Sequence, residues 1–505
     1  MGDSVFIGID HGGSTTTSLV LDPEKGKLAS HSVPMPKSTP DVGWVEHGPD
    51  DFIETSMASA NKALDEAGLA WNDVAGIGIA NQGETSLAWS SQTGLPIGPA
   101  ISWEDKRTQD ICDTLTRRGV DDLVRERTGV ILDPYFSASK FKWLKENLQD
   151  AREAANSGTL RLGGTDSYLI HCLTGGAVHA TEPGTASRTA LYNLHALEWD
   201  FDLVEAFGLN INELPSILPS NGDFGTAQHE SFNGAKVPIT ANVVDAHAAL
   251  FAQGCVDNRS VKSTYGTGAF IELNTGRDML QPDGNITVFI GWDIDDVVDF
   301  TLEGGVFSVG SAIDWAVKTG ILPSAAVSSD LAQSVSNNGG VFMVPCLSGL
   351  AAPNWESSAR GMLSGLGLDT QNGHIARALL DGIALQCGDV ICALNARTGG
   401  TIQEICADSG PTKNEYLMLR QADLLNMPVS TSLEPDMTAL GAAYLAAQGA
   451  GVMTVADIHS RRVEKRVFEP TMCEDQRESL WAEWAAQLAI VRNLSRSKQR
   501  KSEHS

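Results

Sequence analysis

Apolar residues along the chain recur with two periods. Near-continuous runs such as Val5-Phe6-Ile7-Gly8-Ile9-Asp10 and Ser18-Leu19-Val20-Leu21-Asp22, bounded by small polar residues, predict strands joined through the tight turn Gly12-Gly13-Ser14. The same grammar returns mid-chain, where Ser263-Thr264-Tyr265 and Ala269-Phe270-Ile271-Glu272-Leu273 flank Gly266-Thr267-Gly268. Two hairpins with Gly/Ser/Thr tips, about half a chain apart, predict a duplication into two like-folded lobes, because solenoid repeats recur at roughly 20 to 50 residues. Around each hairpin, strand-like runs (74–80, 341–345, 402–407) alternate with segments whose apolar residues recur every three or four positions (50–67, 375–396, 414–425). That alternation predicts an α/β fold. No low-complexity linker divides the lobes, so a packed hinge is expected near residues 250–255. The basic, polar tail after Asn493 is expected to be disordered.

Length and composition narrow the partners. At 505 residues the chain is too long for one core, and two large lobes are the economical division. Hydrophobic content of 42 % with 20 % charged residues is that of a globular protein with a sizeable core. A formal charge of −27 disfavours nucleic acid and anionic membranes, since binding them needs clustered Lys and Arg. No apolar run approaches the ~20 residues of a bilayer span, and the polar Asp10-His11-Gly12-Gly13 comes too early for a signal peptide. The eight cysteines stand singly with no C-x-x-C pair, which fits a reducing cytoplasm, and most of them lie in apolar runs that read as small buried hydrophobes.

Binding the phosphates of ATP requires main-chain N–H groups facing a void, and only small residues let the backbone come close. Both hairpin tips supply such residues, and Asp10 stands where a magnesium ion bridging phosphate oxygens would sit. A single glycine turn would mean no more than a hairpin; two, with an aspartate beside one, point to a nucleotide. Neither tip is a Walker loop, since no Gly-Lys-Ser/Thr follows, and neither opens a helix as a dinucleotide fingerprint does.

Beyond the hairpins, Trp44-Val45-Glu46-His47, Asn81-Gln82-Gly83-Glu84-Thr85, Trp103-Glu104-Asp105-Lys106-Arg107, Asp133-Pro134-Tyr135-Phe136-Ser137, Thr185-Ala186-Ser187-Arg188-Thr189, Thr264-Tyr265-Gly266-Thr267-Gly268 and Ala439-Leu440-Gly441-Ala442-Ala443-Tyr444 follow in order. In this order and spacing the chain resembles the FGGY carbohydrate kinases from about residue 5 to residue 450, most nearly the branch that acts on glycerol. The resemblance implies two actin-like (ribonuclease H-like) lobes with a catalytic cleft between them. It divides the chain into an N-terminal lobe (1–252) for the polyol, a C-terminal lobe (253–455) for the nucleotide, and a helical extension with a basic tail (456–505). It also implies ATP and Mg2+, with Asp245 as the base that takes the acceptor's proton.

The same resemblance assigns Glu84, Trp103, Tyr135 and Asp245 to the polyol hydroxyls and Phe270 to its carbon edge. Carboxylates accept from hydroxyls, and aromatic faces pack on C–H surface. The nucleotide falls to the two tips (Gly12, Gly13, Ser14, Thr15; Gly266, Thr267) and to Gly310, Asp314, Gly410 and Asn414. Two positions depart from the glycerol pattern: Gly83 replaces an arginine and Ala246 a glutamine. Both remove a donor and open volume, which favours a four- or five-carbon polyol. Water or His247 filling the gap would leave glycerol as the substrate. Thr17, Asp314 and Ser409 stand for an arginine, a glutamine and a glycine, and Lys236 in Gly234-Ala235-Lys236 for the arginine of a phosphosugar-binding loop, so that control is not expected. Two other readings stay open: an actin-fold ATPase or sugar-sensing protein without catalysis, and a ketose kinase of the same superfamily. A homo-oligomer, dimer or tetramer, is also left open.

Overall fold

The computed structural model describes residues 4–461 and 464–502. Two large sheets repeat one topology. In the first, Val5–His11 pairs antiparallel with Thr15–Asp22, which pairs antiparallel with Gly26–Pro34; on its other side Val5–His11 runs parallel to Val74–Asn81, and that strand parallel to Val237–Val244. In the second, Ser260–Tyr265, Ala269–Gly276 and Val297–Val306 form the antiparallel meander, and Glu404–Asp408 and Val429–Ser432 add in parallel. Both sheets therefore read third, second, first, fourth, fifth in strand order, the duplication that the paired glycine tips predicted. Extra strands extend the edges: Thr226–Ala227 on the first sheet, Thr287–Ile294 and Lys465–Phe468 on the second.

Central strands buried on both faces need apolar residues without alternation, and Val5-Phe6-Ile7-Gly8-Ile9 is buried throughout. A smaller four-stranded sheet of Glu46–His47, Ser86–Ser90, Ala100–Ile101 and Leu160–Gly164 is inserted beside the first lobe.

The chain crosses from the first sheet to the second after the helix Asp245–Ala252, near the expected hinge. It then returns: the late helix Met437–Gly449 packs on the first sheet and on Asp245–Ala252. Glycines make that approach. A Cβ on Gly8 would stand 1.9 Å from the carbonyl oxygen of Ala439, one on Gly78 2.0 Å from that of Ala442, and one on Gly441 2.0 Å from that of Ala248. Backbone meets backbone at all three, and no side chain fits.

Two expectations change. The tail after Asn493 is helical within Glu474–Ser502, not disordered. Trp484, Leu488, Val491 and Ser495 form a buried stripe at helical spacing, the Ser495 hydroxyl bonds that of Ser358, and Arg496 meets Glu356 at 2.8 Å. The basic composition masked that stripe. Secondly, Asn372–Arg397 is, among the described residues, the one helix long and apolar enough to cross a membrane; 78 % of its most apolar window is buried inside the protein, so its composition is that of a core helix.

Candidate active site

The two glycine tips face each other across a cavity of about 460 Å³ between the lobes. The first tip is closed by Gly12 N–H donating to Thr15 O at 3.1 Å, the second by Gly266 N–H donating to Gly268 O at 2.7 Å. The second tip also rests on the start of the helix Gly310–Lys318, where the N–H groups of Val309 and Ser311 donate to Thr267 O and that of Gly310 to Gly266 O. A Cβ on Gly268 would lie 2.3 Å from Val306 O and one on Gly310 2.6 Å from Gly266 O, so the turn requires glycine at both.

Asp245 opens its helix directly after the strand Val237–Val244 and projects into the cavity, its Oδ1 accepting from Ala246 N–H at 2.6 Å. Glu84, Trp103 and Tyr135 arrive from the inserted sheet and its loops. Trp103 N–H donates to Thr85 Oγ1 at 3.2 Å, and Tyr135 N–H to Asp133 Oδ1 at 2.8 Å. The Trp103 ring meets Tyr135 and Phe270 edge-on, with centroids 5.8 and 6.2 Å apart. The buried Lys140 donates Nζ to the carbonyls of Tyr135 and Phe136 and fixes that loop; burial lowers its pKa to about 7.

Of the residues expected at the site, Gly13, Ser14, Glu84, Trp103, Tyr135, Asp245, Ala246, Gly266, Thr267 and Phe270 line the one cavity. Others lie off it. Gly12 and Thr15 hold the tip without facing the cavity, and Gly310 lies behind the second tip. Asp314 is exposed and is not among the residues that line the cavity, Gly410 begins a short turn next to Asp408 and Ser409, which do line the cavity, and Asn414 caps the helix Glu415–Leu425 while donating to Ser328 Oγ at 2.9 Å.

Gly83 corrects the expected opening. It borders a separate small cavity behind the site, and a Cβ on it would lie 3.2 Å from Arg188 Cδ, so Arg188 already occupies the space that the missing arginine was expected to vacate. His247 does not fill it either. That ring is fully buried, with Nε2 3.4 Å from Thr301 Oγ1 and 3.8 Å from Glu272 Oε1. Of the two departures, only Ala246 faces the cavity.

Sequence reasoning gave no role to the ionic floor of the cleft. Arg188 Nη1 donates to Glu84 Oε1 at 2.9 Å, and Nη2 donates to Glu303 of the opposite lobe. Lys262 Nζ donates to Glu272 Oε2 at 3.0 Å. Arg188, Lys262, Glu303 and Asp408 all line the cavity. Burial drives Asp245 up to about 6 against the pull of Arg188 and the Ala246 N–H. It raises Glu303 to about 7, again opposed by Arg188, while Lys262 keeps the equally buried Glu272 down at about 2.

Asp10, the residue expected at the cation, lies near the end of the strand Val5–His11 and is not among the residues that line the cavity. Its pKa is raised well above the usual carboxylate range by burial and then by the charges of Asp245 and Asp436, a crowding of like charge that a cation relieves. Among the described residues no three His, Cys, Asp or Glu side chains form a metal cage, so Mg2+ here needs phosphate oxygens as further ligands.

The chain matches the models of the FGGY family of carbohydrate kinases, the N-terminal domain over residues 5–252 and the C-terminal domain over 261–450. It is 38 % identical over 492 residues to glycerol kinase 2 of Thermotoga maritima, covering 97 % of this chain and 98 % of that one. It is 39 % identical over 478 residues to glycerol kinase of Chromobacterium violaceum, covering 94 % and 95 %. Among solved structures it superposes on Plasmodium falciparum glycerol kinase with ADP at a TM-score of 0.91 and 29 % identity, covering 97 % and 98 % of the two chains. Two like-folded lobes, glycine tips turned toward one cleft and an acidic residue at a strand end between them agree with that match over nearly the whole length, and the chain belongs to the FGGY family of carbohydrate kinases.

Proposed function

We propose that this enzyme transfers the γ-phosphoryl group of ATP to a primary hydroxyl of glycerol, with Asp245 as the base. The observation that carries the reading is the convergence of Asp245, Glu84, Trp103 and Tyr135 with both glycine tips on one cavity. The hydroxyl proton passes to the Asp245 carboxylate, the oxygen attacks phosphorus in line, and the bond to the bridging oxygen breaks to release ADP. Glu84 accepts from a second hydroxyl, and Trp103 and Phe270 cover the carbon chain. Main-chain N–H groups at Gly13, Ser14 and Thr267 face the phosphates, with Gly266 closing its turn and Asp10 toward the cation; Mg2+, when bound, would offset the charge that grows on the phosphate oxygens. Asp408 and Ser409 lie on the side left for the nucleoside.

We read residues 1–252 as the acceptor lobe, 253–455 as the nucleotide lobe and 456–505 as an extension, a division supported by family models that meet between 252 and 261.

Glycerol is favoured over larger polyols because Arg188 takes the space beside Gly83; Ala246, which does face the cavity, favours erythritol or threitol as the second reading. ADP release with glycerol, erythritol, threitol and pentitols tests this. Glycerol is expected to give the highest kcat/KM, a tetritol ahead of it would establish the second reading, and turnover independent of any polyol would sink both. Asp245→Asn is expected to lower kcat by about 10²- to 10⁴-fold with the fold intact by circular dichroism.

A further inference from the structure

Resting on the kinase reading, we propose that Lys37 is a further catalytic residue, the cation that meets the terminal phosphate of the nucleotide as it passes to the acceptor. The reaction moves an anionic group through a chain of net charge −27, and the first hairpin, residues 5–22, contributes a glycine tip but no Lys or Arg. Three cations line the cavity. Arg188 and Lys262 are buried and committed to the glutamates of the floor. Lys37 is the third, and 35 % of its side chain is open.

The backbone around Lys37 is fixed on the first tip. Met35 N–H donates to Ser14 O at 2.9 Å, His47 Nδ1 donates to Pro36 O at 2.7 Å, and Ser38 and Glu46 exchange N–H···O bonds at 2.9 Å. The segment thus runs from the glycine tip to the inserted sheet and carries its ammonium between them. Nζ donates to Glu104 Oε2 at 2.7 Å. Glu104 follows Trp103, whose indole nitrogen lies 3.5 Å from the place of a Cβ on Gly13. Gly13, Ser14, Lys37, Trp103 and Glu104 all line the one cavity. A phosphoryl group handed from the first tip to an acceptor held on Trp103 passes this point.

The pair with Glu104 leaves the ammonium available. An ion pair whose two side chains are each a third open to water is weak, and an ammonium has three N–H donors, of which Glu104 takes one. In the transfer the acceptor oxygen bonds phosphorus, its proton goes to Asp245, and the electron pair of the broken bond leaves with ADP. Lys37 keeps its proton throughout and offsets charge on the phosphate oxygens.

Binding of Mg·ADP and of the Mg complex of the β,γ-imido analogue of ATP separates a contact with the terminal phosphate from a general loss of positive charge, since only the analogue carries that group. Both are titrated calorimetrically into the wild type, Lys37→Gln and Lys37→Arg, with kcat and both KM values measured alongside. In Lys37→Gln the analogue is expected to bind about 10-fold more weakly and ADP less than about 2-fold, with kcat down about 10- to 100-fold and KM for glycerol unchanged. Lys37→Arg is expected to restore most of both. Each variant exchanges an open side chain, so the midpoint of thermal unfolding is expected to stay in place. Equal losses on the two nucleotides, no loss on either, or a loss confined to KM for glycerol would overturn the role of Lys37. A wild type whose ADP release does not rise with glycerol overturns the kinase reading itself, a result distinct from an active enzyme in which Lys37→Gln leaves the two affinities in their original ratio.

Discussion

At the scale of single residues, the environment of Asp245 sets how the enzyme should respond to pH. A base works only when ionised, and burial raises this carboxyl to about 6, so proton uptake on acidification removes activity through that value and leaves it intact above. The acidic limb of the kcat/KM profile is expected near pH 6, and near the usual carboxylate value of about 4 in any variant that opens the site to water. Ser409 carries a different consequence. It lines the cavity with φ 76° and ψ 179°, a conformation that only glycine adopts without strain. Ser409→Gly is expected to raise stability by about 1 kcal/mol, read as a higher midpoint of thermal unfolding.

Among the elements, the helix Met437–Gly449 has the tightest fit. Because a Cβ on Gly8 would stand only 1.9 Å from the carbonyl oxygen of Ala439, Gly8→Ala forces strand and helix apart and spoils a buried interface along its length. A loss of about 3 kcal/mol or more is expected in urea unfolding, against about 1 kcal/mol for Gly26→Ser on the open hairpin turn, where nothing lies within 4 Å of a Cβ and only the φ of +88° is strained. The hairpins and their tips were legible in sequence because a hairpin is local: near-continuous apolar runs flanking small residues are a short-range signal. The helical tail was not, since its buried face consists of Trp484, Leu488, Val491 and Ser495 dispersed among charged residues. The role of Arg188 was invisible for another reason. Its partners Glu84 and Glu303 lie 104 and 115 residues away, and no spacing rule relates positions that meet only through the fold of two lobes.

On the scale of the whole molecule, the duplication was legible and its interlocking was not. Counting residues divides the protein cleanly after 252, yet the first sheet is covered by a helix that begins at 437. A fragment of residues 1–252 would leave the groove over Gly8 and Gly78 open and a face of buried apolar strands in water. Produced alone, that fragment is expected to be found mostly in the pellet after centrifugation, and production together with residues 253–505 is expected to return it to the supernatant.

The returning helix also constrains the order in which the protein can mature. Synthesis runs from the N-terminus, so the strands of the first sheet leave the ribosome nearly two hundred residues before the helix that covers them. For that interval the nascent chain carries an unroofed lobe, at about 5–20 residues per second a wait of roughly 10 to 40 seconds. The clasp that joins the finished lobes thus makes the young enzyme a client for chaperones that hold exposed sheet faces.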